Sequence, residues 1–171
     1  APRGIHFFHS TPTMLPMISP DDNLDLQWMN VAICQAMLAE RAGEVPVGAV
    51  VLDPTGMAVG HGQNRVIRDN DPTAHAEVVA LRAAGQALNN YRLEHCRIYV
   101  TLEPCAMCAG AMIHARIAQV IFGATDPKAG AAGSVLQVLN YPGLNHRMQV
   151  TGNVLSDECG SILRRFFQAR R

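Results

Sequence analysis

The 171-residue sequence has little charge and few aromatic rings: 16% of its residues are charged and 5% are Phe, Trp or Tyr. Its 14 Lys and Arg balance its 14 Asp and Glu, so no bulk positive field draws the chain to nucleic acid. Any RNA contact must come from a local patch. No apolar run approaches the roughly 18 residues that a membrane-crossing helix needs, and no membrane partner is expected. No internal repeat is visible, which sets solenoids aside. The cysteines number five, an odd count with two in C-x-x-C spacing. A disulfide framework is therefore not expected, and a reducing, cytoplasmic compartment is. The first twenty residues hold Pro2, Pro12, Pro16 and Pro20 and have no charged segment followed by an apolar one. They are read as a flexible tail without the form of a secretory signal, ahead of one domain over residues 21–171.

What is present is an alternation of helical and strand-like segments, the pattern of an α/β fold. Asp21, Asp22 and Asn23 offer capping oxygens before Trp28, Met29, Ala32, Ile33, Ala36 and Met37, an apolar stripe at helical spacing that ends near Gly43. Residues 46–52 and 57–64 read as strands joined by the turn Asp53-Pro54-Thr55-Gly56. A polar loop, 65–73, leads to a helix over 74–88 with His75 and Glu77 in its first turn. A strand over 97–102, a helix over 105–115 and a strand over 118–122 form a β-α-β unit, expected to be parallel and right-handed. Residues 130–133 are too rich in Gly and Ala for a strand. Residues 134–139 read as a short helix and 147–151 as a fifth strand, and Ser156 or Asp157 caps a last helix.

Two segments carry the chemistry: His75-Ala76-Glu77 and Pro104-Cys105-Ala106-Met107-Cys108. One imidazole and two thiolates are a three-ligand set that leaves a fourth tetrahedral position open, as catalytic zinc requires. Cys105 and Cys108, at i and i+3 of a helix start, point to one side, where free backbone N–H groups favour thiolate. Pro104 at the helix entry loses no helical hydrogen bond. Zinc lowers the pKa of its water to about 7, so hydroxide is available to attack an electron-poor ring carbon. Glu77, beside but not among the ligands, is then the proton carrier. The bland alternative makes C-x-x-C a structural knuckle and His75 a satisfied polar residue. Cys34, Cys96 and Cys159 fall in apolar patterns and are expected in the core. His61, His95, His114 and His146 stand alone, with surface or capping roles expected.

H-x-E followed by P-C-x-x-C is the signature of the zinc nucleobase deaminases. Over about residues 26–170 the chain resembles a narrower family, the bacterial tRNA adenosine deaminases. The resemblance runs through Glu44-Val45-Pro46-Val47-Gly48-Ala49-Val50, Asn64-Arg65, Asp71-Pro72-Thr73-Ala74 and Tyr91-Arg92-Leu93. It continues in Tyr99-Val100-Thr101-Leu102-Glu103, Gly130-Ala131-Ala132-Gly133-Ser134, Asn145-His146-Arg147 and Asp157-Glu158-Cys159. It implies a three-layer α/β/α sandwich around a five-stranded mixed sheet (cytidine deaminase-like), a homodimer, and one Zn2+ per subunit. The implied reaction is deamination of the wobble adenosine in the anticodon stem-loop of an arginine tRNA to inosine, zinc-bound hydroxide attacking C6 with Glu77 as shuttle. The resemblance also implies that Asn64 contacts the purine, that the backbone of Ala76 and the carbonyl of Glu103 hold the base, and that Pro46 and Val47 line the pocket. Asp126, Lys128, Asn145, His146 and Arg147 match stretches that face RNA in relatives. The chain departs from close relatives at Lys128-Ala129-Gly130 and Asn140-Tyr141-Pro142-Gly143. Arg164, Arg165, Arg170 and Arg171 either touch phosphates or complement the dipole of their own helix.

Two other readings stand beside this one. The same chemistry serves a free base or nucleoside such as guanine or cytidine, which neutral net charge favours slightly. A silent RNA-binding subunit with structural zinc would have no need of Glu77.

Overall fold

The computed structural model describes residues 19–171, and the tail expected over 1–20 falls outside the described residues except for its last two. Those two are the N-cap and the first residue of the first helix, α1 (Pro20–Arg41). Ser19 is the cap, its hydroxyl accepting from Asp22 N at 3.1 Å, with Pro20 in the first turn. The expected caps Asp21 and Asp22 lie instead inside that turn, where carboxylates offset the positive end of the helix dipole.

A hairpin follows, β1 (Gly48–Leu52) and β2 (Ala58–Gln63). Asp53 builds its turn: Gly56 N donates to Asp53 O at 3.0 Å, and the Asp53 carboxylate accepts from Thr55 N, Thr55 Oγ1 and Met57 N. Pro46 and Val47 precede β1 rather than opening it. Pro46 has no N–H to give a ladder, and Val47 N turns back to Val45 O. Then come α2 (Ala76–Leu88), β3 (Arg97–Leu102), α3 (Ala106–Ala115), β4 (Gln119–Ala124), β5 (Gln149–Thr151) and α4 (Ser156–Gln168).

The strands form one five-stranded sheet in the order β2-β1-β3-β4-β5. β1 pairs antiparallel with both β2 and β3, while β3, β4 and β5 run parallel, so the sheet is mixed and β3-α3-β4 is the expected parallel unit. Strand periodicity divides the side chains between the two faces. Ala49, Val51, Ile98, Val100, Val120 and Phe122 pack with α2 and α3. Val50, Leu52, Tyr99 and Ile121 pack with α1 and Cys159 of α4. Each fully buried aliphatic residue contributes about 1.5–3 kcal/mol, so burial on both faces holds three layers together.

Gly62 sets how closely α2 approaches the sheet. A Cβ there would lie 1.9 Å from Ala76 O, so only glycine lets the first turn of α2 rest on β2. His95 and Arg116 hold left-handed backbone at φ +62° and +63°, at a cost of about 1 kcal/mol each relative to glycine.

Three sequence expectations need correction. Residues 134–139 are not a helix but turns with a bridge between Ala132 and Gln137, because the amides of Ala132 and Ser134 face inward to Glu103. Neither Ser156 nor Asp157 caps α4: Leu155 occupies the N-cap at φ +53° without a side-chain hydrogen bond. Cys34 is exposed, while Cys96 and Cys159 are buried as expected. The buried stripe of α1 runs Met29, Ala32, Ala36, Ala39, and Cys34 is out of phase with it.

Candidate metal centre

α2 and α3 both begin beside the same point, α2 two residues and α3 one residue later than the sequence reading places them. His75 is the N-cap of α2 (φ −70°, ψ 154°) and Cys105 the N-cap of α3 (φ −76°, ψ 174°). Neither makes a side-chain capping bond, so both side chains turn outward from extended backbone. Glu77 and Cys108 lie in the first helical turns. Pro104 stands before the cap instead of at the helix entry, and its carbonyl accepts from Ala131 N at 2.8 Å.

The side chains of His75, Cys105 and Cys108 converge, their ligand atoms all within 4.8 Å of one another. Tetrahedral zinc, with bonds of about 2.3 Å to sulfur and about 2.0–2.1 Å to nitrogen, separates such ligand atoms by about 3.6 Å. Here Cys105 Sγ stands 3.6 Å and Cys108 Sγ 3.5 Å from His75 Nδ1. The spacing of the group fits a metal ion, and its donor atoms suit zinc.

Hydrogen bonds from Cys108 and His75 hold the Cys105 thiol down to about 3. The hydrogen bond to Cys105 and burial push Cys108 above the thiol range. A divalent ion lets both sulfurs ionise. The hydrogen bond to Cys105 raises His75. Glu77 is 4% exposed, and burial pushes its carboxyl up to about 7.

Asn64 follows β2, with its N–H donating to Val47 O at 3.2 Å. The next residue, Arg65, donates to Ala74 O at 2.9 Å, which closes the 65–74 loop and sets Asn64 alongside His75. Asn64 is 8% exposed, and its Oδ1 is buried without a partner. An orphaned buried acceptor costs about 1–3 kcal/mol, so it marks a place prepared for a donor. Pro46 and Val47 are buried beside it, and Ala76 is fully buried.

Two buried glutamates organise the loops around the site, and sequence reasoning missed both roles. Glu44, 1% exposed, accepts from Ile67 N at 3.0 Å and Arg68 N at 2.8 Å. Glu103, 2% exposed, accepts from Asp126 N, Ala132 N, Ser134 N and Ser134 Oγ. A Cβ on Gly130 would lie 2.1 Å from Glu103 Oε2, so that glycine makes room for the carboxylate. The available signal was an acid in an otherwise apolar run, at Glu103 after β3 and at Glu44 before β1.

The residues matched to RNA-facing stretches separate into two groups. Asp126 and Lys128 lie past the carboxyl end of β4, where Asp126 N donates to Glu103, and line a cleft of about 1020 Å³ with Arg164, Arg170 and Arg171. Asp126 also caps its own turn, accepting from Lys128 N at 2.9 Å. Arg170 stacks on the Phe166 ring at 3.4 Å, and Arg165 leaves the group to pair with Glu40 at 3.1 Å. Asn145, His146 and Arg147 precede β5 and lie at the opposite end of the parallel strands, with the His146 ring against Ile117 O at 2.6 Å.

The model of the MafB19-like deaminase family matches residues 23–171. The chain is similar to the tRNA-specific adenosine deaminase of Haemophilus influenzae, 48% identical over 86% of this chain and 85% of that protein. A solved structure from work on A-to-I editing at the wobble position of transfer RNA superposes with a TM-score of 0.77. It is 39% identical and covers 80% of this chain and 99% of its own. A guanine deaminase of Bacillus subtilis superposes less well, with a TM-score of 0.56 at 32% identity over 85% of this chain and 92% of that one.

Proposed function

Because the chain belongs to the tRNA-specific adenosine deaminases, we propose that it converts the wobble adenosine of an arginine tRNA to inosine. Water adds its oxygen to C6 of the purine, the C6–N bond breaks, and ammonia leaves. His75, Cys105 and Cys108 would hold one zinc ion, which supplies an ionisable water at neutral pH and a fourth open position.

The remaining work falls to the chain's own residues. Glu77 is the proton carrier: a carboxyl near 7 takes a proton from the attacking water, passes it to N1 of the ring, and later delivers one to the departing amine. Asn64 Oδ1 is the acceptor that reads the purine, and its buried, unpaired state is the observation that carries this assignment. Pro46, Val47, the backbone of Ala76 and the carbonyl of Glu103 shape the pocket around the base. The cleft with Lys128, Arg164, Arg170 and Arg171 would receive phosphates of the anticodon stem-loop, with Asp126 at its rim.

Two parts of this reading concern the assembly and its place in the cell. The chain pairs as a homodimer, for which the groove of about 790 Å³ between α2 and α3, with Leu81, Ala111 and exposed Tyr91, offers an apolar surface. All five cysteines are free thiols, and among the described residues no helix is long and apolar enough to cross a membrane. Both facts fit a protein that meets tRNA in the cytoplasm.

The guanine deaminase likeness keeps a free base as the second reading. Metal-loaded protein offered an anticodon stem-loop with wobble adenosine, beside free adenosine, guanine and cytidine, decides between them. Inosine in the RNA alone supports editing, and turnover of a free base alone replaces it.

A further inference from the structure

The amino ends of β3 and β4 carry a second charged surface that the proposed chemistry does not use. A cleft of about 810 Å³ is lined there by Arg92, Arg97, Arg116 and Arg147, with His95, His146 and a single acid, Glu94. β3 separates it from the metal ligands by roughly 20 Å, six residues at about 3.3 Å each.

Arg65, Arg68, Arg82 and Arg165 are each paired with an acid, whereas Arg97, Arg116 and Arg147 have no ion-pair partner among the described residues. Arg92 reaches Glu94 only at 3.8 Å. In this cleft of a neutral chain, four arginines outnumber one glutamate.

Two of the six non-glycine residues at positive φ among the described residues also fall in this cleft. Its lining includes both His95 and Arg116, two non-glycine residues held at positive φ. Arg116 takes the position after α3 where glycine is the ordinary choice, so a strained backbone is kept together with a long cation.

Guanidinium groups recognise phosphate through paired, planar hydrogen bonds. We propose that this cleft binds the phosphate backbone of the tRNA outside its anticodon loop, adding affinity without reading sequence. The proposal rests on the tRNA reading above, and it extends the RNA footprint to the end of the sheet remote from the metal. Arg147 and His146, which resemblance connects with RNA, would belong to this footprint and not to the catalytic cleft.

The test combines Arg97→Gln with Arg116→Gly. Glycine relieves the backbone at 116, so the thermal midpoint reports folding directly and is expected not to fall. Binding of full-length tRNA is measured by fluorescence anisotropy over a salt series. The double variant is expected to bind about tenfold more weakly, with the log–log salt slope reduced by about two, while single-turnover deamination of a bound stem-loop keeps its rate. Unchanged affinity and slope in the folded variant would overturn the proposal. Wild-type protein that binds the tRNA but forms no inosine would count against the activity instead, and leaves the binding comparison intact.

Discussion

Ser134 donates its hydroxyl and its backbone N–H to the carboxylate of Glu103, a residue thirty-one positions earlier, just after β3. This contact joins the loop that carries Asp126 and Lys128 to the residue next to Pro104 and Cys105. The loop is therefore held by a side chain two residues from Cys105.

Glu103→Gln should be costly. Glutamine replaces one acceptor oxygen with an NH2 group facing amides and a hydroxyl that all donate, and a charged hydrogen bond contributes about 1.5–3 kcal/mol. The expected loss in urea unfolding is about 2–3 kcal/mol, against about 1 kcal/mol for Ser134→Ala. Equal stability of wild type and E103Q would show that the buried carboxylate does not hold the loop.

Glu77→Gln should retain bound metal at one ion per chain and lower turnover by about 10²–10⁴-fold, the usual contribution of a positioned acid or base. Metal analysis alongside inosine formation checks it. Activity within a few-fold of wild type would remove Glu77 from the proton path.

Metal removal should change which thiols react. Cys34 is exposed in any state, and Cys96 and Cys159 are buried. Cys105 is half-buried and becomes available once no metal masks its sulfur. Chelated protein should label at Cys34 and Cys105 and metal-loaded protein at Cys34 alone, as read by mass spectrometry. Equal labelling of Cys105 in both states would exclude it as a ligand.

Gly62→Ala and Gly110→Ala should move stability in opposite directions. The first drives a methyl into Ala76 O and separates Asn64 from His75, with an expected loss of about 1–3 kcal/mol and a fall in activity. The second meets nothing within 4 Å inside α3, where alanine is favoured over glycine by about 1 kcal/mol. Thermal unfolding of both variants checks the pair.

Alkali should weaken the domain through Tyr99. Its hydroxyl donates to Asp25 Oδ1 at 2.7 Å, tying β3 to α1, and burial followed by that bond pushes its pKa up to about 12 from 10. Above pH 10 the unfolded chain releases this proton and the folded chain keeps it. The contribution is therefore complete below pH 10 and is lost as the pH rises to about 12. Cys159, which burial likewise raises to about 12, adds to the loss from pH 9 upward. In Tyr99→Phe the fall in unfolding free energy across pH 10–12 should be shallower, and an unchanged slope would count against the assignment.

The convergence of His75, Cys105 and Cys108 was legible because a metal-binding pattern depends on residue type and short spacing, and both survive in any local conformation. The helix starts were read one or two residues early because His75 and Cys105 look helical in a motif yet sit in extended backbone. The 126–139 segment was not legible. Its shape depends on a carboxylate at Glu103, and no local pattern in the segment predicts a partner so far back in the chain. Cys34 was misplaced because it lies near a helical stripe without sharing its phase. Asn64 stood out in the sequence only by resemblance; its unpaired oxygen is a property of the folded chain.

The ligands come from the two differently wired halves of the sheet. His75 enters from the antiparallel hairpin side through β2 and its loop, and Cys105 and Cys108 enter from the parallel β3-α3-β4 unit. Neither half owns all three side chains, and an ion held by them would act as a suture between the halves. A chain divided in the connection between Leu88 and Arg97 would leave each fragment chemically inert, with the imidazole in one and both thiols in the other. Deaminase activity would return only on reunion of the fragments, which makes this protein a natural candidate for a split reporter.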